Sequence, residues 1–244
     1  MREVLHLDFN PTSTAWIGGL QSRVAHSSAP QIRERYQSWA SVGLGELALA
    51  IATRLAMIMQ VEVRLRERCS ALVREIDESG KVESLLSNRS CYRTNDEGLP
   101  FDICAAADCC LVEWRSLYEV MRKFATTFAK KILGTKISDS QIDSVVEQAG
   151  VPIDWIDRLR KNRNLFVHQT APWIALEVTN REPLECSIVI MKENIATLDD
   201  AEKIITEAEL IEISNRLRHS VIAVRNWLET QVDQLEATLN RNAG

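Results

Sequence analysis

The sequence from residue 200 to residue 239 reads DAEKIITEAELIEISNRLRHSVIAVRNWLETQVDQLEATL. Its apolar residues recur at alternating intervals of three and four, which places them on one face of an α-helix. These positions are 210, 213, 217, 221, 224, 228, 232, 235 and 239. The pattern predicts a long helix with a packing seam. A coiled-coil homodimer would show the same seam, but a bundle is favoured because the chain offers other long helices as partners.

Two earlier segments also predict long helices. Apolar residues at helical spacing extend from Gly45 to about Ile76, and a second helical pattern runs from about Ala105 to Leu133 before Gly134. Shorter helices are predicted over residues 30–40, 138–149 and 152–168, the second of them opened by a capping box of Ser138 and Gln141. Residues 79–103 are predicted to be a polar connection with one short turn of helix.

The pattern changes after Pro172. Two β-branched runs, 173–178 and 186–190, flank turn-forming residues at 179–183, which is typical of a β-hairpin. The fold class predicted is therefore all-α, a long-helix bundle with one hairpin inserted at about 173–191. Residues 1–41 are predicted to form an N-terminal segment that packs on the bundle, and residues 42–244 to form the helical domain.

Composition narrows the class of protein. The 244 residues are 45% hydrophobic and 26% charged, which excludes a disordered chain, a collagen-like chain and a disulfide scaffold. The net charge is −5, so any nucleic-acid contact must come from a local basic patch. The six cysteines show no C-x-x-C spacing and are expected to be reduced and mostly buried.

The apolar segments predict a soluble cytoplasmic protein without a membrane span. The first ten residues contain no apolar run long enough for a signal peptide. The longest apolar stretch, residues 42–63, includes Glu46, Arg54, Gln60 and Glu62. Since a membrane span seldom tolerates that many polar residues, the stretch is expected to be a buried helix.

The densest polar cluster lies on the helix PIDWIDRLRKNRNLFVHQ, residues 152–169, which carries four basic and two acidic residues. At about 100° per residue, Trp155 and Leu159 fall within about 20° of Phe166 and define the core-facing arc. Measured from Phe166, the polar positions lie at about 60° for Arg163, 120° for Arg160, 160° for Asn164 and 200° for His168. One flank of this helix is therefore predicted to be a continuous polar strip.

This set of residues suits cleavage of a phosphodiester without a metal. A guanidinium binds phosphate with two hydrogen bonds and stabilises the charge that grows in the transition state. An imidazole gives or takes a proton near neutral pH, and an amide orients either group. The alternative is a solvated basic face on which His168 acts only as a cation at the C-terminal end of the helix.

The segment Arg163-Asn164-Leu165-Phe166-Val167-His168 resembles the R-x4-6-H signature of the HEPN superfamily, in the form with a polar residue directly after the arginine. That family has an all-α core in which the motif lies late on a long helix. The predicted helices before and after the motif agree with that context, and a short hairpin after the motif resembles larger stand-alone members.

The resemblance implies a metal-independent ribonuclease without a cofactor. Arg163 and His168 would be the catalytic pair, Asn164 would tune the site, and Arg160 and Lys161 would contact the RNA. The family's active form is a homodimer with a composite site, which would also bring together Arg163 and His168, about 140° apart on one helix. Many members are toxins or phage-defence proteins, often beside a nucleotidyltransferase-type antitoxin.

Other members of the family lack activity, so a second hypothesis stays open. It is a non-catalytic dimer of the same fold that binds a partner or a nucleotide. The net charge of −5 and the lack of an obvious second basic stripe argue against avid RNA binding.

Overall fold

The structure is a computed structural model that describes residues 15–37, 39, 42–88, 91–168, 172–191 and 203–243. These residues are mostly helical, with a small antiparallel sheet. The helices are α1 (Ala15–Ala25), α2 (Pro30–Gln37), α3 (Leu44–Glu78), α4 (Val82–Asn88), α5 (Leu99–Phe128), α6 (Asp139–Gln148), α7 (Asp154–His168) and α8 (Glu207–Ala243). A π-helical turn, Ala129–Leu133, follows α5, and the strands are β1 (Trp173–Arg181), β2 (Leu184–Met191) and β3 (Ile204–Thr206).

The three long helices confirm the helical periodicity of the sequence. In α8 the predicted seam is buried from Leu210 to Val232, with each seam residue at most 4% exposed, whereas Leu235 and Leu239 are partly exposed. The seam is thus covered within the chain, as a bundle requires. The helix begins at Glu207 rather than near residue 200, and the predicted start lies outside the described residues.

The single hairpin predicted after α7 is corrected to a three-stranded sheet of order β1-β2-β3. β1 and β2 pair as expected, and β3 adds to the free edge of β2 with Met191 opposite Ile204. Val189, Met191 and Ile204 form a small buried cluster there. A strand of three residues is too short to show an alternating pattern, so the sequence did not reveal it.

The start of α8 explains why β3 ends where it does. Thr206 Oγ1 accepts a hydrogen bond from Glu209 N at 3.2 Å, and Glu209 Oε2 accepts one from Thr206 N at 3.0 Å. This reciprocal pair is a capping box, which satisfies backbone donors that the first turn of a helix leaves free.

The starts of α2 and α6 agree with the prediction, whereas α1 and the start of α5 do not. The capping box of Ser138 and Gln141 is present at the start of α6, and α2 begins at Pro30 as expected. α1 was not predicted. α5 begins at Leu99, six residues before the predicted start, because Pro100 stands in the first turn of the helix, where proline is tolerated.

The expectation that residues 42–63 form a buried helix holds for one face only. Leu44, Ile51 and Ile58 are buried, whereas Leu49 and Met59 are more than half exposed. α3 is long and apolar enough to cross a membrane when judged by length and composition, a test that the core helix of a soluble protein also passes. Apolar side chains of α3 therefore lie on its exposed side as well as on its buried side.

The chain divides into two compact units. Unit 1 comprises residues 1–57, 117–149 and 221–244, and unit 2 comprises residues 58–116 and 150–220. The core of unit 1 contains Trp16, Trp39, Phe124 and Phe128, whose ring contacts have centroid distances of 5.7 to 6.2 Å. In the same unit Arg23 of α1 pairs with Asp233 of α8 at 2.6 Å, which ties α1 to the long helix α8.

Unit 2 contains a buried carboxylate that joins three helices. Glu62 of α3 is 8% exposed, and its Oε1 accepts hydrogen bonds from Trp114 Nε1 of α5 at 3.1 Å and Ser214 Oγ of α8 at 2.5 Å. Its Oε2 is paired with Arg218, which also donates from Nε to Ser214 at 3.3 Å. Each oxygen of the carboxylate therefore has a donor, as a buried charge requires.

Glu62→Ala is expected to lower the free energy of unfolding by about 3 kcal/mol, because it leaves Arg218, Trp114 and Ser214 without their acceptor. Chemical denaturation followed by circular dichroism measures this change. Glu62→Gln keeps one acceptor oxygen and should cost less. The control, Glu67→Ala, alters an exposed position of the same helix and should change stability by no more than about 0.5 kcal/mol. Equal losses in Glu62→Ala and Glu67→Ala would contradict the assigned role.

Candidate functional site

Helix α7 carries the predicted motif and has the expected core-facing side. Trp155 and Leu159 are each 2% exposed, which confirms the arc deduced from helical spacing. Asp154 and Asp157 lie in the first turn, where a negative charge interacts favourably with the helix dipole. The helix ends at His168, as the sequence predicted from Pro172.

The catalytic residues predicted from the sequence lie on the last turns of α7. Arg163, Asn164 and His168 all belong to the helix, but their side chains lie outside the described part of the structure. The proposed contact between Arg163 and His168 therefore stays a prediction. Arg160 and Lys161, the predicted substrate-binding residues, are both exposed.

Two of the basic residues of α7, Arg158 and Arg160, are paired with carboxylates. Arg158 forms an ion pair with Glu209 of α8, and Arg160 Nη2 lies 3.1 Å from Asp157 Oδ1 within α7. The excess of positive charge counted along residues 152–169 is therefore partly compensated. For Arg160, both partners are well exposed, so solvent weakens the interaction.

A cavity of about 300 Å³ lies between α7 and α8 in unit 2, and we call it the α7–α8 cavity. Apart from Trp155 and Ile213, its lining is charged. The charged residues are Asp154, Asp157, Arg158, Lys161, Glu209, Glu212 and Arg216. With four carboxylates and three basic groups, the cavity favours polar ligands but offers no net positive charge to a polyanion.

Two of the four carboxylates of this cavity, Glu209 and Glu212, come from α8, a helix that was not predicted to be part of the site. Arg216 Nη1 lies 2.5 Å from Asp154 Oδ1 of α7, and the same guanidinium pairs with Glu212. Glu209 both caps α8 and binds Arg158. The signal available in the sequence was the spacing of Glu209, Glu212 and Arg216, which at intervals of three and four residues share one face of α8.

Asn162 is a further polar residue of α7 that the sequence analysis overlooked. It is 3% exposed, and its Nδ2 has no hydrogen-bond partner in the described part of the structure. Helical projection could have found it, since it lies about 40° from Phe166 on the side of Trp155. A buried amide without a partner costs stability, and such residues in native structures require an explanation.

The cysteines are free thiols, as predicted, but only some are buried. Cys69 and Cys110 are buried, Cys104 and Cys186 are partly exposed, and Cys91 and Cys109 are exposed. Burial raises the pKa of Cys69 and of Cys110 to about 12, so both thiols are protonated and poorly nucleophilic at neutral pH. Among the described residues, no group of three or more His, Cys, Asp or Glu side chains is placed to hold a metal ion.

Comparison of the chain with protein-family models, with curated protein sequences and with solved structures finds no significant match. The resemblance to the HEPN superfamily therefore depends on the motif and its helical context.

Asn162→Leu is expected to stabilise the protein by about 1 kcal/mol, because it removes a buried amide nitrogen that has no hydrogen-bond partner among the described residues and improves helix propensity. Thermal or urea denaturation measures the change. The control is Asn215→Leu at an exposed position of α8, which reports the gain from helix propensity alone. A variant at 162 less stable than the parent would show that the amide makes a contact that outweighs its burial.

Proposed function

We propose that this chain is a cytoplasmic, metal-independent endoribonuclease of the HEPN type. The observation that carries the proposal is the pattern Arg163-Asn164-x-x-x-His168 at the C-terminal end of helix α7. The helix-rich fold supports it, with antiparallel strands after α7 and the long α8 closing the chain. A role as a toxin or phage-defence effector, with a nucleotidyltransferase-type antitoxin, is part of this proposal.

The chemistry is a transesterification within the RNA. A 2′-hydroxyl attacks the adjacent phosphorus, the bond from phosphorus to the 5′-oxygen breaks, and a 2′,3′-cyclic phosphate forms. His168 takes the proton from the 2′-hydroxyl or supplies the proton that the leaving 5′-oxygen requires. Arg163 binds the phosphate and stabilises the charge that develops on its oxygens. Asn164 orients these groups, and no metal or cofactor enters the reaction.

The active form proposed is a homodimer. On one helix Arg163 and His168 point in directions about 140° apart. A second copy of α7 facing the first would allow Arg163 of one protomer to work with His168 of the other. Arg160 and Lys161 are exposed on the same helix and would bind RNA beside the reacting phosphate.

A second candidate function is a non-catalytic dimer of the same fold that binds a partner protein or a nucleotide. The charge of the α7–α8 cavity favours this candidate. Two of its three basic groups are paired with carboxylates of the same cavity, Arg158 with Glu209 and Arg216 with Asp154 and Glu212. This pairing suits a polar protein contact better than a bare phosphate chain.

Cleavage of an end-labelled RNA of mixed sequence in EDTA tests the proposed activity. The parent protein should cut the RNA and leave cyclic phosphate ends. His168→Ala and Arg163→Ala should each lower the rate by at least about 100-fold, the usual range for loss of a general acid–base group. Arg160→Ala should raise KM more than it lowers kcat, because the exposed guanidinium would bind substrate rather than react.

His219→Ala is the matched control, since it removes an exposed histidine of α8 outside the motif and should leave the rate unchanged. Circular dichroism verifies that all variants are folded. Cleavage that EDTA abolishes, or that survives in His168→Ala, would refute the mechanism. If neither the parent nor the variants cut RNA while the dimer persists, the binding module becomes the better description.

A further inference from the structure

A run of basic residues lies in unit 1, outside the motif helix. Between Glu119 and Asp139 the chain contains no acidic residue. The basic residues of this interval are Arg122, Lys123, Lys130, Lys131 and Lys136. The sequence analysis saw no second basic stripe, because these residues do not follow one helical spacing: they belong to α5, the π-helical turn and the segment before α6.

Three of the lysines line one cavity of about 370 Å³, which we call the lysine cavity. They are Lys130, Lys131 and Lys136, and the remaining lining residues are Thr126, Thr127 and Ile137. All three lysines are exposed, and no ion pair joins them to a carboxylate in the described part of the chain. No acidic residue lines the cavity, in contrast to the α7–α8 cavity.

The acidic residues that follow in the sequence, Asp139 and Asp143, both form ion pairs with Arg122. Arg122 Nη2 lies 2.5 Å from Asp143 Oδ2, and Arg122 Nη1 lies 3.6 Å from Asp139 Oδ2. Tyr118 also donates a hydrogen bond to Asp143 at 2.5 Å. Arg122 engages both carboxylates, and neither forms an ion pair with the three lysines in the described part of the chain.

The backbone that carries the lysines is fixed by its own hydrogen bonds. Thr135 N donates to Ala129 O at 3.0 Å across the π-helical turn, and Arg35 Nη1 donates to Ile132 O at 2.6 Å. Gly134 closes the turn with φ of 76°, a conformation that favours glycine. Turns of this kind occur frequently at functional sites, and a fixed backbone lowers the entropy cost of binding a ligand.

We propose that the lysine cavity binds phosphate groups of an RNA backbone. Three ammonium groups and the Thr127 hydroxyl supply charge and hydrogen-bond donors for phosphate oxygens, whereas Thr126 Oγ1 donates to Lys123 O at 3.0 Å. Release of counterions from RNA adds to the affinity. Free nucleotide polyphosphates present the same groups, so the experiment must separate the two sources. The choice of RNA rests on the proposed function, whereas the preference for phosphate follows from the lining.

Binding is measured by fluorescence anisotropy with a labelled single-stranded RNA of about 12 nucleotides, at several salt concentrations. All proteins carry His168→Ala, so that the proposed cleavage does not consume the probe. The test variant combines Lys130→Gln, Lys131→Gln and Lys136→Gln. The control combines Arg74→Gln, Lys81→Gln and Arg241→Gln, exposed positions outside the cavity, and lowers the net charge by the same three units.

The cavity variant should raise Kd at least about tenfold near 0.1 M salt, and its salt dependence should flatten by about 2 in logarithmic slope, as expected for three lost phosphate contacts. The control should change Kd by less than about twofold. Equal weakening in both variants would overturn the proposal in favour of overall charge, and unchanged binding in the cavity variant would also overturn it. Loss of ATP binding in the cavity variant with RNA binding intact would also overturn the proposal, because the cavity would then bind nucleotide polyphosphates rather than RNA.

The proposed nuclease activity is read separately, in protein with His168 intact. Absence of cleavage together with RNA binding that depends on the lysines would refute the nuclease and leave the cavity assignment standing. Cleavage by the parent together with RNA binding independent of the lysines would support the nuclease and refute the cavity assignment.

Discussion

The burial of the Glu62 carboxylate is the constraint on which unit 2 depends. A charge removed from water is tolerated only where donors surround it, and here those donors come from Trp114 of α5 and from Ser214 and Arg218 of α8. A shift of either helix by one residue would separate at least one donor from the carboxylate. The network therefore fixes the register of α8, and with it the placement of Glu209, Glu212 and Arg216 against α7. The α7–α8 cavity follows from this register.

The sequence predicted the parts of the fold whose stability arises from a repeating apolar face. The seam of α8 and the core-facing arc of α7 were both found from spacing alone, because a buried helix face must recur every three to four residues. Elements stabilised by single contacts were missed. α1 depends on particular contacts such as the ring contact of Trp16 with Phe124, and β3 depends on pairing with β2. Neither contact leaves a periodic trace in the sequence.

The same distinction applies to the candidate site, where spacing located residues on α7 but not their contacts with distant parts of the chain. Spacing could place Arg163, Asn164 and His168 on one helix, with the positions of the arginine and the histidine about 140° apart in projection. It could not reveal that Arg158 is engaged by Glu209, since that partner is 51 residues away and meets α7 only after folding. A charge count along the sequence treats neighbours in the chain as neighbours in space. For α7 this overestimates the positive charge available to a ligand, and for the lysine cavity it fails to show that Arg122 engages Asp139 and Asp143.

The difference in charge between the α7–α8 cavity and the lysine cavity suits the proposed enzyme if it binds RNA and catalyses its cleavage with different residues. Phosphate contacts made equally in the ground state and the transition state lower KM but do not raise kcat, so they need not adjoin the reacting bond. Lysines serve this purpose well, because an ammonium group is a point charge that accepts many phosphate orientations. The contact that accelerates the reaction must strengthen as charge develops, which is the role proposed for the Arg163 guanidinium. On this view the near-neutral surroundings of α7 are compatible with a nuclease, provided that the affinity for RNA comes from the lysine cavity.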